Sequence, residues 1–149
     1  MAEFKQTIQI HRPVDAVFDY FLGVWQDWMQ NGRTWGDEFA PQLAPERVRG
    51  FAEIVIPVEA GAIRIVPDQL ITCEESWPGK RQSVEHKFEP VRETTRVTLR
   101  VAADGKGWSR LYAWWYICSS ERSIVDEFKD HRDMIEGKRQ PRRVAQHNY

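Results

Sequence analysis

The feature that most constrains the fold is an abrupt change of hydrophobic period within "EFKQTIQIHRPVDAVFDYF", near the N-terminus. Residues 3–10 alternate apolar and polar side chains, as in a strand with one buried face. Pro13 then presets the backbone angle of a first helical turn, and Asp15 suits the positive end of the helix dipole. The apolar residues that follow recur at helical spacing: Val14, Val17, Phe18, Phe21 and Leu22. We therefore expect a strand followed at once by an amphipathic helix.

Gly23 is expected to end or kink that helix, because glycine is a poor helix former. The stretch "VWQDWMQN" then predicts a second short helix that stops at Asn31-Gly32. Only about one residue joins the two helices, so we expect them to form a V rather than a long antiparallel pair.

Strand patterns follow a loop rich in Pro and Gly and continue to residue 118. Turn residues separate the strand pairs at Ala60-Gly61, at Pro78-Gly79 and at "DGKG", residues 104–107. With the first strand, this predicts seven strands in an antiparallel sheet. A helix is expected over about 121–137, with Ser120 or Ser123 as its N-cap and Gly137 past its end.

Length and composition indicate one domain over residues 1–137, followed by a basic, flexible tail over 138–149 that includes Lys138, Arg139, Arg142 and Arg143. The formal net charge of −1 gives no global field that would draw the chain to nucleic acid or to a membrane. We expect no signal peptide and no membrane span. Two cysteines, Cys73 and Cys118, are too few for a disulfide framework, so a cytoplasmic location is the expectation.

The order of elements resembles the Bet v 1-like superfamily, also called START or polyketide cyclase-like (SRPBCC). The resemblance rests on the element order and on Pro13, Val17 and Phe18 in "IQIHRPVDAVFDYF", with Trp25 or Trp28 after the first helix. It implies an α+β helix-grip fold, in which a curved sheet wraps around the last helix and encloses an apolar cavity. The superfamily has no shared catalytic motif, so candidate residues come from the strand and helix patterns of this chain alone.

Two histidines are candidates for acid–base chemistry. His86 shares a strand face with Val84 and Phe88, and His131 shares a helix stripe with Phe128 and Ile135. On two walls of one cavity, the two imidazoles would suit an acid and a base. The alternative is that each is an ordinary core histidine with its hydrogen bonds satisfied.

The stretch "SRLYAWWYIC", predicted as a strand, has two faces. By apolarity the face with Leu111, Ala113, Trp115 and Ile117 looks inward. A bulge would instead turn the other face to the ligand, where Arg110, Tyr112 and Tyr116 could stabilise developing charge on oxygen. The alternative is that this second face is an amphipathic outer surface.

Several aromatic and apolar residues are candidates for ligand contacts. Trp25, Trp28 and Trp35 cluster where this fold would have a cavity mouth, and aromatic rings there could stack on a flat ligand. The others are expected on the cavity wall: Val84, Phe88, Trp115 and Phe128. Core packing is the alternative role for all of them.

The resemblance implies, for an enzyme, a cyclase or dehydratase of the polyketide type. Such an enzyme would confine an apolar or aromatic substrate and need no cofactor or metal. The main alternative is a non-catalytic carrier or sensor of a hydrophobic ligand. A third hypothesis is a protein-interaction module that docks through the basic tail. The expected partner is a small hydrophobic or aromatic molecule, with no nucleic acid and no membrane, and the chain is expected to be a monomer or homodimer. The chain contains no GxSxG, Walker or GxGxxG motif.

Overall fold

The computed structural model describes residues 2–30 and 44–137. Its elements, in chain order, are β1 (Ala2–Ile10), α1 (Val14–Gln30), α2 (Pro45–Val48), β2 (Ile54–Val58), β3 (Gly61–Val66), β4 (Leu70–Trp77), β5 (Lys80–Val91), β6 (Thr94–Gly105) and α3 (Trp108–Ile135). The strands form one curved, unclosed antiparallel sheet in the order β1-β6-β5-β4-β3-β2. The expected α+β helix-grip architecture is confirmed, with six strands in place of seven.

The core lies between the inner face of this sheet and two helices. Helix α1 packs on β5 and β6, and α3 packs on β1 and β6. The apolar stripe expected on α1 is confirmed, since four of its five residues are fully buried: Val17, Phe18, Phe21 and Leu22. On the sheet, the period of two sends alternate side chains inward, so that Val97 on β6 lies between Ile8 on β1 and Phe88 on β5.

The sharp corner between β1 and α1 is held by hydrogen bonds from distant parts of the chain. The Thr95 hydroxyl donates to the carbonyl of Arg12 at 2.9 Å. The backbone N–H of His11 donates to a carboxylate oxygen of Glu136 at 2.8 Å, and the Arg12 guanidinium donates to the Glu136 carbonyl at 2.9 Å. The start of α1 is therefore fastened both to β6 and to the end of α3.

The prediction that Gly23 separates two short helices is wrong, because α1 is one helix from Val14 to Gln30. Gly23 lies on the exposed side of the helix, and a Cβ atom at this position would meet no atom within 4 Å. Helical glycine costs some backbone entropy, but here the buried stripe on both sides of it provides the packing that keeps the helix continuous.

The prediction of a seventh strand is also wrong, because residues 108–118 form the first part of α3. The helix has 28 residues and begins after Gly107, whose φ of +59° turns the chain out of β6. Ser120 and Ser123 therefore lie inside the helix and cap nothing, whereas Gly137 follows its end as expected, with φ of +76°. Despite the length of α3, no helix in the described ranges is both long and apolar enough to cross a membrane.

The open space at Gly23 leads to a stability prediction. We expect Gly23→Ala to raise the free energy of unfolding by about 0.5–1 kcal/mol, because alanine loses less backbone entropy in a helix. Urea denaturation measures this change.

Gly61→Ala is the matched control with the opposite sign. A Cβ atom there would lie 1.8 Å from the carbonyl oxygen of Glu74, so the strands must shift, at a cost of about 1–3 kcal/mol. A destabilised Gly23→Ala variant would contradict the account of α1 as one unstrained helix.

Candidate functional site

The centre of the core contains a hydrogen bond between two side chains that are distant in the sequence. The indole N–H of Trp25, on α1, donates to Nδ1 of His86, on β5, at 3.0 Å. Trp25 is fully buried and His86 nearly so. Since an indole nitrogen can only donate, Nδ1 of His86 has no proton, and the proton of the neutral ring lies on Nε2. The contact therefore selects one tautomer of His86.

Aromatic rings surround His86. Its ring centroid lies 4.9 Å from that of Phe21 and 5.8 Å from that of Phe128. Burial in these surroundings, and to a smaller extent the nearby His131, lowers the pKa of His86 to about 3. His86 is thus a neutral hydrogen-bonding group near neutral pH.

The second expected histidine has a different partner. The hydroxyl of Tyr20 lies 2.7 Å from Nδ1 of His131, and Nε2 of His131 lies 3.8 Å from the exposed carboxylate of Glu127. Burial lowers the pKa of His131, against the opposing effect of Glu127 and Asp130. Burial also raises the pKa of the Tyr20 hydroxyl to about 12, with a contribution from Glu127 and Asp27.

The structure brings the two histidines close but packs Phe21 against both of them. The Phe21 centroid lies 4.9 Å from that of His86 and 5.7 Å from that of His131. Both rings face inward as expected, yet each already has a hydrogen bond to an α1 side chain and an aromatic neighbour. The geometry is that of two neighbouring positions in a packed aromatic layer.

A buried carboxylate lies on the same inner face, nearer the turn between β4 and β5. Glu75 is 7% exposed and pairs across the strands with Gln82, whose amide N–H donates to Oε1 of Glu75 at 3.2 Å. Within the described part of the chain, the other carboxylate oxygen, Oε2, is buried and has no hydrogen-bond partner. Such an atom costs free energy when left unpaired, so it marks a place for a donor.

Glu75 was not among the expected site residues, although the sequence contains a signal for it. In "LITCEESW" the residues Ile71, Cys73 and Glu75 alternate, which places the carboxylate on the face of two apolar side chains. The structure confirms this alternation, with all three residues buried. An acidic residue in phase with the apolar side of a strand is therefore the pattern that would have predicted it.

Of the expected ligand contacts on the sheet and α3, only some retain an open surface. Phe88 packs on Phe18 and Phe21, and Phe128 is buried beside His86. Val84 is half-buried, and it lies on β5 between Gln82 and His86. Among these three, Val84 is therefore the residue best placed to contact a bound molecule.

The candidates from "SRLYAWWYIC" lie on a helix, so their expected faces are wrong. Ala113 and Ile117 are buried, but Leu111 and Trp115 are exposed, since helical spacing separates residues that a strand would align. The three polar candidates are also exposed on α3: Arg110, Tyr112 and Tyr116. The side chain of Trp28 and the whole of Trp35 lie outside the described residues.

Two recesses lie near the N-terminal end of α3. One, of about 120 Å³, is lined by Ala103, Asp104, Arg110 and Trp114 among others, and the second, of about 270 Å³, lies at the β4–β5 turn around Trp77 and Lys80. Neither is lined by His86 or Glu75. Both are smaller than the roughly 300–1,000 Å³ of common ligand pockets, so the unpaired oxygen of Glu75 is the better indication of a site.

No family model matches the sequence, and no curated protein matches it. Several solved structures, however, are similar to this chain. The aromatase/cyclase ZhuI from Streptomyces sp. R1128 is similar with a TM-score of 0.53 and 15% identity over 91% of this chain and 93% of ZhuI. Protein MLL2253 from Mesorhizobium loti has a TM-score of 0.52 and 10% identity, over 93% of this chain and 99% of that one.

DynU16, from the dynemicin biosynthetic locus, has a TM-score of 0.52 and 11% identity, over 91% of this chain and 48% of DynU16. At such low identities the similarity is one of fold. The fold that the resemblance implied is confirmed: like these structures, the chain has a helix-grip fold.

Proposed function

We propose that this chain binds a small, largely apolar, aromatic or polyketide-like molecule against the inner face of β4 and β5 and catalyses its cyclisation or dehydration. The observation that supports this most is the buried Oε2 of Glu75, which has no hydrogen-bond partner among residues 2–30 and 44–137 and lies on a face that is otherwise mainly apolar. Two structural neighbours, an aromatase/cyclase and a protein from a biosynthetic locus, have names compatible with this proposal.

Glu75 and Gln82 would form the reactive end of the site. The carboxylate removes a proton from a carbon next to a carbonyl, and the resulting enolate carbon bonds to a second carbonyl carbon. The proton then passes to the oxygen of that second carbonyl, which becomes a hydroxyl. In the dehydration, the carboxylate takes a second proton from carbon and delivers it to the hydroxyl, which leaves as water. The carboxylate is then ionised again. Neither step needs an oxidant or a reductant.

Gln82 has a stabilising role in this scheme. One amide hydrogen donates to Oε1 of Glu75, which holds the carboxylate in place. The amide nitrogen has a second hydrogen, which can donate to the enolate oxygen as negative charge develops on it.

His86 would bind the other end of the molecule. It lies four residues from Gln82 on the same face of β5, which is about 13 Å along a strand. With Nδ1 occupied by Trp25, the ring has a proton on Nε2 and can donate a hydrogen bond to a carbonyl or hydroxyl oxygen. Val84 between the two ends would contact the apolar middle of the ligand.

A carrier or sensor of the same kind of ligand is the second candidate function. The Trp25 contact and the lowered pKa keep His86 neutral and in one tautomer, which suits orientation of a ligand better than exchange of protons. In that case Glu75 would only accept a hydrogen bond from the ligand.

Intact-complex mass spectrometry of the purified chain with extract of its native cell distinguishes these functions. A compound that is consumed and gives a product isomeric with it, or lighter by one water, supports the enzyme. A compound that stays bound with unchanged mass supports the carrier. Failure to retain any small molecule contradicts both.

Replacement of Glu75 tests its role as a base. We expect Glu75→Gln, which keeps the shape but removes the charge, to lower kcat by on the order of 100-fold or more while the ligand still binds. Glu74→Gln is the matched control, because Glu74 directly precedes Glu75 and its side chain points to solvent. Full turnover by Glu75→Gln would exclude Glu75 as the base, and loss of affinity alone would favour the carrier.

The buried His86 predicts how stability depends on pH. Its pKa is lower in the folded chain, about 3, than in the unfolded chain, near 6.5, so the unfolded chain binds more protons between these values. Stability is therefore fully present above about pH 6.5 and falls as the pH decreases towards 3, by on the order of 4 kcal/mol for this group. His131, whose pKa is also lowered, adds to the change in the same direction.

Urea denaturation from pH 7 to pH 4 measures this dependence. We expect His86→Gln to flatten the curve between pH 7 and pH 4. An unchanged slope in His86→Gln would show that His86 is not the buried neutral group described above.

A further inference from the structure

The first half of α3 has a large apolar surface that faces solvent. Trp108 is 86% exposed, Leu111 60%, Tyr112 54% and Trp115 58%. We call these four residues the aromatic stripe. Monomeric proteins rarely expose contiguous apolar patches above a few hundred Å², and larger ones mark interaction sites.

The stripe faces away from the core. Trp108, Leu111 and Trp115 follow one another at spacings of three and four residues, so they lie on one side of the helix. The buried Ala113 is two residues from both Leu111 and Trp115, which is about 200° around the helix. A molecule bound on the inner face of the sheet therefore does not cover the stripe.

Contacts between neighbouring side chains order part of this surface. The ring of Tyr112 lies 6.0 Å from that of Trp115 and is stacked on that of Tyr116 at 6.4 Å. The ammonium group of Lys80 lies 5.8 Å from the Tyr112 centroid and 5.1 Å from that of Trp77. Side chains that are already ordered lose less entropy when they enter an interface.

The exposed area suits an interface of ordinary size. Large side chains of this kind have about 150–250 Å² each, so the exposed parts of the stripe amount to roughly 600 Å². The flanking Trp114 and Tyr116, which are also exposed, bring the surface towards the ~800 Å² that each partner buries in a standard interface.

We propose that the aromatic stripe is a self-association surface, through which two copies of this chain form a dimer with their α3 helices antiparallel. A two-fold axis near residues 111 and 112 places Trp108 next to Trp115 of the second copy and Leu111 next to Tyr112. The same patch then serves both copies, as a closed two-fold interface requires.

The charges on α3 favour the antiparallel alignment. Beyond the stripe, the exposed side of the helix continues with Arg122, Asp126 and Lys129. A parallel pair would place Arg122 and Lys129 against their own copies, which is repulsive, whereas the antiparallel pair separates each of them from its own copy by roughly 30 Å or more along the helix axis. Antiparallel helix dipoles also attract each other.

Sedimentation equilibrium of the full chain at micromolar concentration tests the dimer. We expect a dimer for the wild type, and an affinity weakened on the order of 30-fold or more by Leu111→Glu or Trp115→Glu. Phe51→Glu is the control, because Phe51 is equally exposed but lies between α2 and β2. Circular dichroism should show the same helix content for all variants, since each change is on the surface.

Disulfide cross-linking tests the orientation. In the antiparallel pair, the exposed Cys118 lies about 20 Å along the helix axis from its copy, so the wild type should form no interchain disulfide. Leu111→Cys in a Cys118→Ser background should cross-link on oxidation. A Cys118 cross-link that forms quickly in the wild type would overturn the antiparallel arrangement.

Three other outcomes would overturn the dimer itself. The first is a wild type that stays monomeric at about 100 μM. The second is a monomer that dimerises only after residues 138–149 are removed, which would mean that the tail covers the stripe. The third is a monomer whose tryptophan emission shifts to the blue on vesicles of anionic and neutral phospholipid, which would make the stripe a membrane-binding surface.

Discussion

The hydrogen bond from the Trp25 indole to His86 is the interaction on which the rest of this structure depends. It joins α1 to β5 in a region from which water is excluded, and an unpaired partner there would cost about 1–3 kcal/mol. It also holds Trp25, in the second half of α1, against the inner face of the sheet. The aromatic layer of Phe21, Phe128 and His131 packs around the same pair.

The same bond limits what His86 can do chemically. A histidine with a free Nδ1 and an ordinary pKa would be a general base, whereas this one is a neutral donor. The proposed chemistry therefore moves to Glu75, the buried group on the inner face whose hydrogen bonding is incomplete among the described residues. The fold supplies an apolar wall, and the two polar positions on it define how a ligand would lie.

Much of this architecture could be predicted from the sequence, because period two and period 3.6 are distinct in residues 3–22 and in the strand pairs up to residue 103. The misassigned segment is "WSRLYAWWYIC", where aromatic residues favour a strand and apolar residues occur in both phases. The helix is favoured by tertiary packing: Ala113 and Ile117 lie on the buried side of α3, which packs on β1 and β6. Because many exposed aromatic residues lie between these two, the sequence pattern does not reveal the buried side of the helix.

The candidate site was only partly predictable for a related reason. The inward direction of His86 follows from alternation with Val84 and Phe88, but its partner Trp25 is 61 residues away. Whether a buried histidine is satisfied, and by which atom, depends on such long-range contacts. Glu75 could have been found by alternation alone, while its unpaired oxygen could not.

The most direct test of the central claim is the tautomer and charge of His86, measured by long-range ¹H–¹⁵N NMR of the imidazole rings between pH 8 and pH 4. The structure predicts one neutral ring with its proton on Nε2 and no titration across this range, assigned through His86→Gln. A ring at this position that becomes imidazolium near pH 6, or that has its proton on Nδ1, would contradict the account.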